Sequence, residues 1–281
     1  MKLPFTKMHG CGNDYVYFNC FAHPVNNPEE LAVRLSDHHF GIGGDGVILI
    51  CPSDVADAKM RMFNADGSEG KMCGNGIRCV GKYLYDNNMV GGKTEITVET
   101  LSGIKTLILH PEHGKVQTVR VDMGPAMLKP AQIPVYLDGS RIVDEPLVID
   151  EKVYHITCVS MGNPHCIVFI KEDVDALDLA RLGPKFEHNA LFPERVNTEF
   201  VNILPDGTLK MRVWERGSGE TWACGTGACA VGVTAVLRGL AAKGDDILVH
   251  LRGGDLTIRY TDETVFMTGP ATTVFEGIIE V

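Results

Sequence analysis

Residues 64–76 read Asn64-Ala65-Asp66-Gly67-Ser68-Glu69-Gly70-Lys71-Met72-Cys73-Gly74-Asn75-Gly76, and residues 215–227 echo them as Glu215-Arg216-Gly217-Ser218-Gly219-Glu220-Thr221-Trp222-Ala223-Cys224-Gly225-Thr226-Gly227. Cys73 and Cys224 stand 151 residues apart, and at that offset Glu69 meets Glu220, Gly74 meets Gly225 and Gly76 meets Gly227. The correspondence runs outward from there. Val80-Gly81 falls on Val231-Gly232 and Ile96-Thr97-Val98 on Ile247-Leu248-Val249, while Gly12-Asn13 meets Gly162-Asn163 one residue out of step. Met123-Gly124-Pro125-Ala126 resembles Thr268-Gly269-Pro270-Ala271. Matches kept in the same order, most of them at one spacing, imply a duplicated unit of about half the chain, and such a repeat outranks any local pattern in deciding the fold.

Periodicity gives each copy its elements. Ile77, Val80, Gly81 and Leu84 after Cys73, and Ala228, Val231, Gly232 and Ala235 after Cys224, keep one helical face. Asn75 and Thr226 are residue types that cap helix starts. Pro28 behind Asn27 predicts a shorter helix running to about His38, with His38-His39 at its end. β-branched runs predict strands at 14–18, 47–51, 94–100, 104–109, 116–122, 153–159, 166–170, 208–214, 246–251, 255–260 and 263–267. The class is α+β: each half a mainly antiparallel sheet with one principal helix.

Composition narrows the function. Hydrophobic residues at 44% and charged residues at 22% suit a globular protein. A net charge of −10 argues against a nucleic-acid or anionic membrane partner, no apolar run is long enough for a membrane span, and the N-terminal residues do not read as an export signal, so a cytoplasmic protein is expected. Nine cysteines, an odd number, do not suggest a disulfide framework, and the absence of any Cys-x-x-Cys pair argues against zinc. Cys11, Cys20, Cys51, Cys79, Cys158, Cys166 and Cys229 are read as small core residues. Gly41-Ile42-Gly43-Gly44-Asp45-Gly46 spells a nucleotide fingerprint, but it precedes strand Val47–Ile50 instead of following a strand, so it is read as a turn. No cofactor and no metal are expected.

The chemistry lies in the repeated Cys-Gly-(Asn/Thr)-Gly. A helix start leaves backbone N–H groups unpaired and carries partial positive charge, so it binds carboxylates and favours a thiolate. Two such starts brought to one ligand would hold a carboxylate and put a thiol on each side of the neighbouring carbon. That is the requirement for inverting an α-carbon: a base on one face and an acid on the other. The alternatives are two structural thiols, or a non-catalytic carboxylate- or metal-binding module.

Five ordered motifs, Lys7-Met8-His9-Gly10-Cys11-Gly12-Asn13-Asp14, Phe63-Asn64-Ala65-Asp66-Gly67-Ser68, Met72-Cys73-Gly74-Asn75-Gly76, Gly162-Asn163-Pro164-His165, and Trp214-Glu215-Arg216-Gly217 through Ala223-Cys224-Gly225-Thr226-Gly227, resemble the diaminopimelate epimerase family over nearly the whole chain. The resemblance implies two pseudo-symmetric α+β domains, each a curved, mainly antiparallel sheet wrapped around a central helix: residues 1–124 with 269–281, and residues 125–268. It implies cofactor-independent conversion of LL-2,6-diaminopimelate to the meso form, serving lysine and peptidoglycan precursor synthesis, in a homodimer. Cys73 and Cys224 would then transfer the protons, and Gly74, Asn75, Gly225 and Thr226 would line the carboxylate site. Glu215 would contact the reacting amino group and, with His165, tune the thiols. Asn64, Asn163, Asn197 and Arg216, with Asn13 nearby, would read the distal end. Gly46 stands where some relatives carry a polar amide. The nearest rival, proline or hydroxyproline racemase of the same architecture, typically shows Cys-Gly-His where this chain has Cys73-Gly74-Asn75.

Overall fold

The computed structural model describes residues 2–280. In chain order its elements are β1 (Lys2–Gly10), β2 (Asn13–Asn19), α1 (Pro28–Ser36), β3 (Gly46–Cys51), β4 (Ala58–Asn64), β5 (Glu69–Gly70), α2 (Gly74–Asp86), β6 (Glu95–Thr100), β7 (Gly103–Glu112) and β8 (Lys115–Asp122). They continue as β9 (Glu145–Ile149), β10 (Lys152–Ser160), β11 (Pro164–Phe169), α3 (Leu179–Glu187), β12 (Asn197–Ile203), β13 (Leu209–Glu215), β14 (Gly219–Thr221), α4 (Gly225–Leu237), β15 (Asp246–Leu251), β16 (Gly254–Tyr260), β17 (Val265–Pro270) and β18 (Thr272–Glu280). The chain divides into two compact units, Met1–Asp122 with Thr268–Val281, and Met123–Met267.

In the first unit the pairings run β18–β1–β2–β3–β4–β6–β7–β8, with β5 also on β4. All are antiparallel except β2/β3 and β4/β6. A parallel pair needs a crossover, and helices supply it: α1 between β2 and β3, α2 between β4 and β6. Helix α2 packs against β1, β2, β7 and β8, strands distant in the pairing order, so the sheet curves around it. The second unit repeats the plan as β9–β10–β11–β12–β13–β15–β16, parallel at β11/β12 and β13/β15, with α3 and α4 as crossovers. Registers repeat too: Ala58 faces Val98 in one unit and Leu209 faces Val249 in the other, each shifted by 151 residues.

The two central helices differ in how they are covered. Eight successive residues of α4, from Ala228 to Ala235, are all buried, and seven of them are Ala, Cys, Val or Gly, as a helix enclosed on every side requires. Gly232 is fixed by close approach, since a Cβ there would lie 2.5 Å from Ile258 Cγ2; Gly81 of α2 meets Leu107 and Leu109 at 2.9 Å in the same way. In α2 the enclosed set includes Arg78 and Lys82.

Three expectations need correction. Helix α1 ends at Ser36, not near His38, and Asn27 adopts a left-handed conformation without a side-chain capping bond. Helix α3 is additional; Gly183 and Pro184 inside it disguise its periodicity, while Asp178 caps it by accepting from Arg181 N at 3.1 Å. Asn75 and Thr226 lie inside the first turn of their helices, and the residues at the cap positions are Cys73 and Cys224 themselves.

Candidate active site

In the first unit, β5 and the following bend deliver Cys73 to the start of α2 with extended backbone, and its Sγ accepts the Gly76 N–H at 3.3 Å. The thiol donates to Asn13 Oδ1 at 3.3 Å, and Asn75 Nδ2 donates to the same oxygen at 3.3 Å. Asn13 is turned this way by Asp45, whose Oδ2 accepts from Asn13 Nδ2 at 2.6 Å and from Asp14 N at 3.0 Å. Asp45 thereby turns the Gly41–Gly46 loop into a support for the thiol; Lys7 braces the same corner through Asp14 at 2.5 Å and the Gly43 carbonyl. The phenol of Tyr15 hydrogen-bonds Cys73 from beneath. Asn64 donates to Ser68 Oγ at 3.0 Å, which closes the turn ahead of β5.

In the second unit Cys224 caps α4 identically, accepting Gly227 N–H at 3.3 Å, with Thr226 Oγ1 at 3.5 Å. Around it the partners change. Asn163 Nδ2 donates to Thr226 Oγ1 at 3.2 Å, and its Oδ1 faces His165 Nε2 at 3.1 Å. His165 Nδ1 lies 2.7 Å from Glu199 Oε1, with both side chains fully buried. Glu215 is held by the Thr221 hydroxyl and by the thiol of Cys224. Asn197 donates to Pro164 O at 3.0 Å and accepts Arg216 N–H at 2.8 Å, so it ties β11 to the loop that carries Arg216. Arg216 itself donates from its guanidinium to Glu194 O at 2.9 Å. Gly74 and Gly225 are the first residues of their helices.

One expectation about the thiols is reversed. A helix start should favour thiolate, yet both thiols are raised above the ordinary value, because burial outweighs the helix amides. They are raised unequally. For Cys73, the amides of Gly76 and Asn75, the Tyr15 hydroxyl and the Arg78 guanidinium all act against burial. Cys224 is held well above the usual thiol range by burial first, then by the charges of Glu215 and Glu199. Burial also raises the Glu215 carboxyl.

Four supporting residues escaped the sequence reading: Asp45, Tyr15, Arg78 and Glu199. The repeat held a signal for two of them. At the 151-residue offset Glu199 stands where the first unit has Ile48, and Arg78 where the second has Cys229. A lone charge inside an apolar element is the clue in both. His165, Glu199 and Cys224 bring donor atoms within 4.8 Å of one another, a grouping in which a metal ion could be considered. Two ligand atoms on one tetrahedral ion sit roughly 3.3 Å apart, by the ~2.05 Å bonds such sites use. The 2.7 Å between His165 and Glu199 is a hydrogen bond instead.

The family model described as "Diaminopimelate epimerase" matches residues 5–129 and 157–274. Among curated relatives, the diaminopimelate epimerase of Agathobacter rectalis is 56% identical, covering 99% of this chain and 100% of its own. That of Acetivibrio thermocellus is 56% identical over 98% of both chains, and that of Methanococcus maripaludis strain S2 is 54% identical over 99% and 100%. Solved structures of the same fold include a Bacillus anthracis phenazine biosynthesis protein of the PhzF family (TM-score 0.76, 16% identity, 100% of both chains). Another is a hydroxyproline epimerase from Agrobacterium vitis (TM-score 0.70, 16% identity, 99% of this chain and 91% of that one).

Proposed function

The chain belongs to the diaminopimelate epimerase family, and from that premise we propose that it interconverts LL- and meso-2,6-diaminopimelate with Cys73 and Cys224 as the two proton-transfer groups. The observation that carries the assignment of the thiols is their shared setting. Each is the N-cap of its unit's central helix and receives that helix's N–H at 3.3 Å.

The reaction removes an α-proton from an amino acid that has no electron sink. Negative charge develops on the α-carboxylate, and a preorganised donor aimed at such charge is worth roughly 3 kcal/mol. The N–H groups of Gly74, Asn75, Gly225 and Thr226 are the donors in this proposal. One cysteine, as thiolate, takes the proton from one face; the other, as thiol, returns a proton to the opposite face. Their protonation states are exchanged after each turnover. Glu215 meets the reacting amino group and, with His165, adjusts Cys224. Asn64, Asn163, Asn197 and Arg216, with Asn13 at the edge, receive the distal amino-acid end; the guanidinium of Arg216 suits its carboxylate. The product serves lysine and cell-wall precursor synthesis, and the chain works in the cytoplasm.

Incubation with LL-diaminopimelate in deuterium oxide tests this reading. The expected result is meso product with deuterium at the inverted α-carbon. Deuterium uptake into proline or hydroxyproline instead, or no uptake by any of them, refutes it.

We also propose a homodimer formed through β18. That strand exposes Val274, Phe275 and Ile278, apolar side chains unusual on a solvated strand. Phe275→Asp is expected to halve the mass measured by sedimentation equilibrium; an unchanged dimer rules this surface out.

A further inference from the structure

Glu199 gives the two thiols different characters. It is fully buried on β12, its Oε1 bonded to His165 and its Oε2 without a partner among the described residues. It lies directly beneath the start of α4: a Cβ on Gly227 would come within 2.5 Å of Glu199 Oε1 and 3.2 Å of Cys224 Sγ. The first unit builds the same cradle with a methyl group in it. A Cβ on Gly76 would meet Ile48 Cδ1 at 2.5 Å, and Ile48 pairs with Met62 as Glu199 pairs with Val213. His165 is replaced by Tyr15, as the registers His165 to Asn197 and Tyr15 to Gly46 show.

The charges facing each sulfur follow from these exchanges. Cys73 faces the phenol of Tyr15 and the guanidinium of Arg78, with Tyr17 and Cys79 farther along. Cys224 faces His165 from β11, Glu199 from β12 and Glu215 from β13; Cys166 from β11, itself bonded to Cys158 of β10, lies near Glu199. Of the other strands on α4, β15 and β16 pair His250 with Asp255 and Arg259 with Asp246, and β10 pairs Lys152 with Glu172 and His155 with Asp144. Both nitrogens of His165 meet oxygen atoms, Nδ1 at Glu199 and Nε2 at Asn163.

Resting on the epimerase reading above, we propose that Glu199 is a positioning residue that holds the His165 ring and, from beneath the start of α4, keeps Cys224 the more firmly protonated of the two thiols. Cys224 then stores its proton in a hydrogen bond to Glu215, ready to deliver it. The resting enzyme therefore favours the stereoisomer whose α-hydrogen faces Cys73. With Gln at 199 the carboxylate beside Cys224 is gone, and the Cys224 thiolate forms at lower pH.

The test compares the full-length wild type with Glu199→Gln, substrate-free, by carbamidomethylation with iodoacetamide across pH, reading Cys73 and Cys224 separately by peptide mass spectrometry. Cys224 lies within 4.8 Å of the carboxylate, so its alkylation midpoint is expected to fall by about one pH unit or more, and its rate near neutrality to rise about tenfold. The Cys73 midpoint is expected to stay in place. A purely structural Glu199 would leave the Cys224 midpoint where it is, and that result overturns the proposal. Should the Gln variant fail to fold, Glu199→Met of similar volume carries the same readout. Deuterium uptake by the same wild-type sample separates the two ideas: no uptake refutes the epimerase reading, whereas an unmoved Cys224 midpoint with normal uptake refutes only the role of Glu199.

Discussion

Cys73→Ser and Cys224→Ser are each expected to slow epimerisation by roughly three orders of magnitude, the scale at which a positioned acid or base contributes. A serine hydroxyl keeps the volume and the hydrogen bond to Gly76 or Gly227, so the helix starts survive. What disappears is a group that can both hold and release a proton near neutral pH. The two variants should fail differently. An enzyme left with one thiol can still remove and replace the α-proton on that thiol's own face. Each variant should therefore wash deuterium into one stereoisomer only, with little inversion, as followed by NMR of both isomers in deuterium oxide. Cys79→Ser is the control on the same helix. Its thiol is fully buried in α2, away from the helix start that Cys73 caps, so activity should stay within about twofold of wild type. Full activity in either Cys73→Ala or Cys224→Ala removes the two-thiol mechanism altogether.

How far this was legible from the chain depends on the range of each signal. Cys73 and Cys224 announced themselves because duplication wrote the same local motif twice, and a local motif needs no tertiary knowledge. The parallel pairs β2/β3 and β11/β12 were not legible, since parallel pairing joins strands separated by a whole helix. Strand β1, omitted from the expected strands, is buried between β2 and β18 and shows no clean alternation; its central residues Phe5 to Lys7 are all buried. Asp45 was passed over as part of a glycine turn, because its role depends on Asn13, which lies 32 residues earlier in the chain. The reversal in thiol ionisation has the same root. The helix start that lowers a thiol is local and visible in sequence, whereas the burial that raises it is a property of the packed unit.

Arg78→Met is expected to destabilise the protein by roughly 2–4 kcal/mol, equivalent to a fall in melting temperature of about 5–15 °C for a chain of this size. Arg78 is fully buried in α2. Its Nε donates to Pro270 O at 3.1 Å and its NH1 to Gly74 O at 3.1 Å, so one planar fork joins the first residue of α2 to β17. Gly10 closes over it, and a Cβ there would lie 2.8 Å from NH2. Methionine fills most of the volume, and removing a buried charge recovers some desolvation energy. Against that, two buried carbonyls lose charged donors at roughly 1–3 kcal/mol each, and the loss outweighs the gain. A second effect is separable from the first. The guanidinium lowers the Cys73 thiol, so its removal should raise the pH at which Cys73 alkylates. Arg78→Lys divides the two. An ammonium keeps the positive charge near Cys73 but lacks the rigid fork that reaches both carbonyls, so the alkylation midpoint should return toward wild type while the melting temperature recovers only in part. If Arg78→Met melts like the wild type, the fork is not what holds the start of α2 in place, and Cys73 is positioned by Gly76, Tyr15, Asn13 and Asp45 without it.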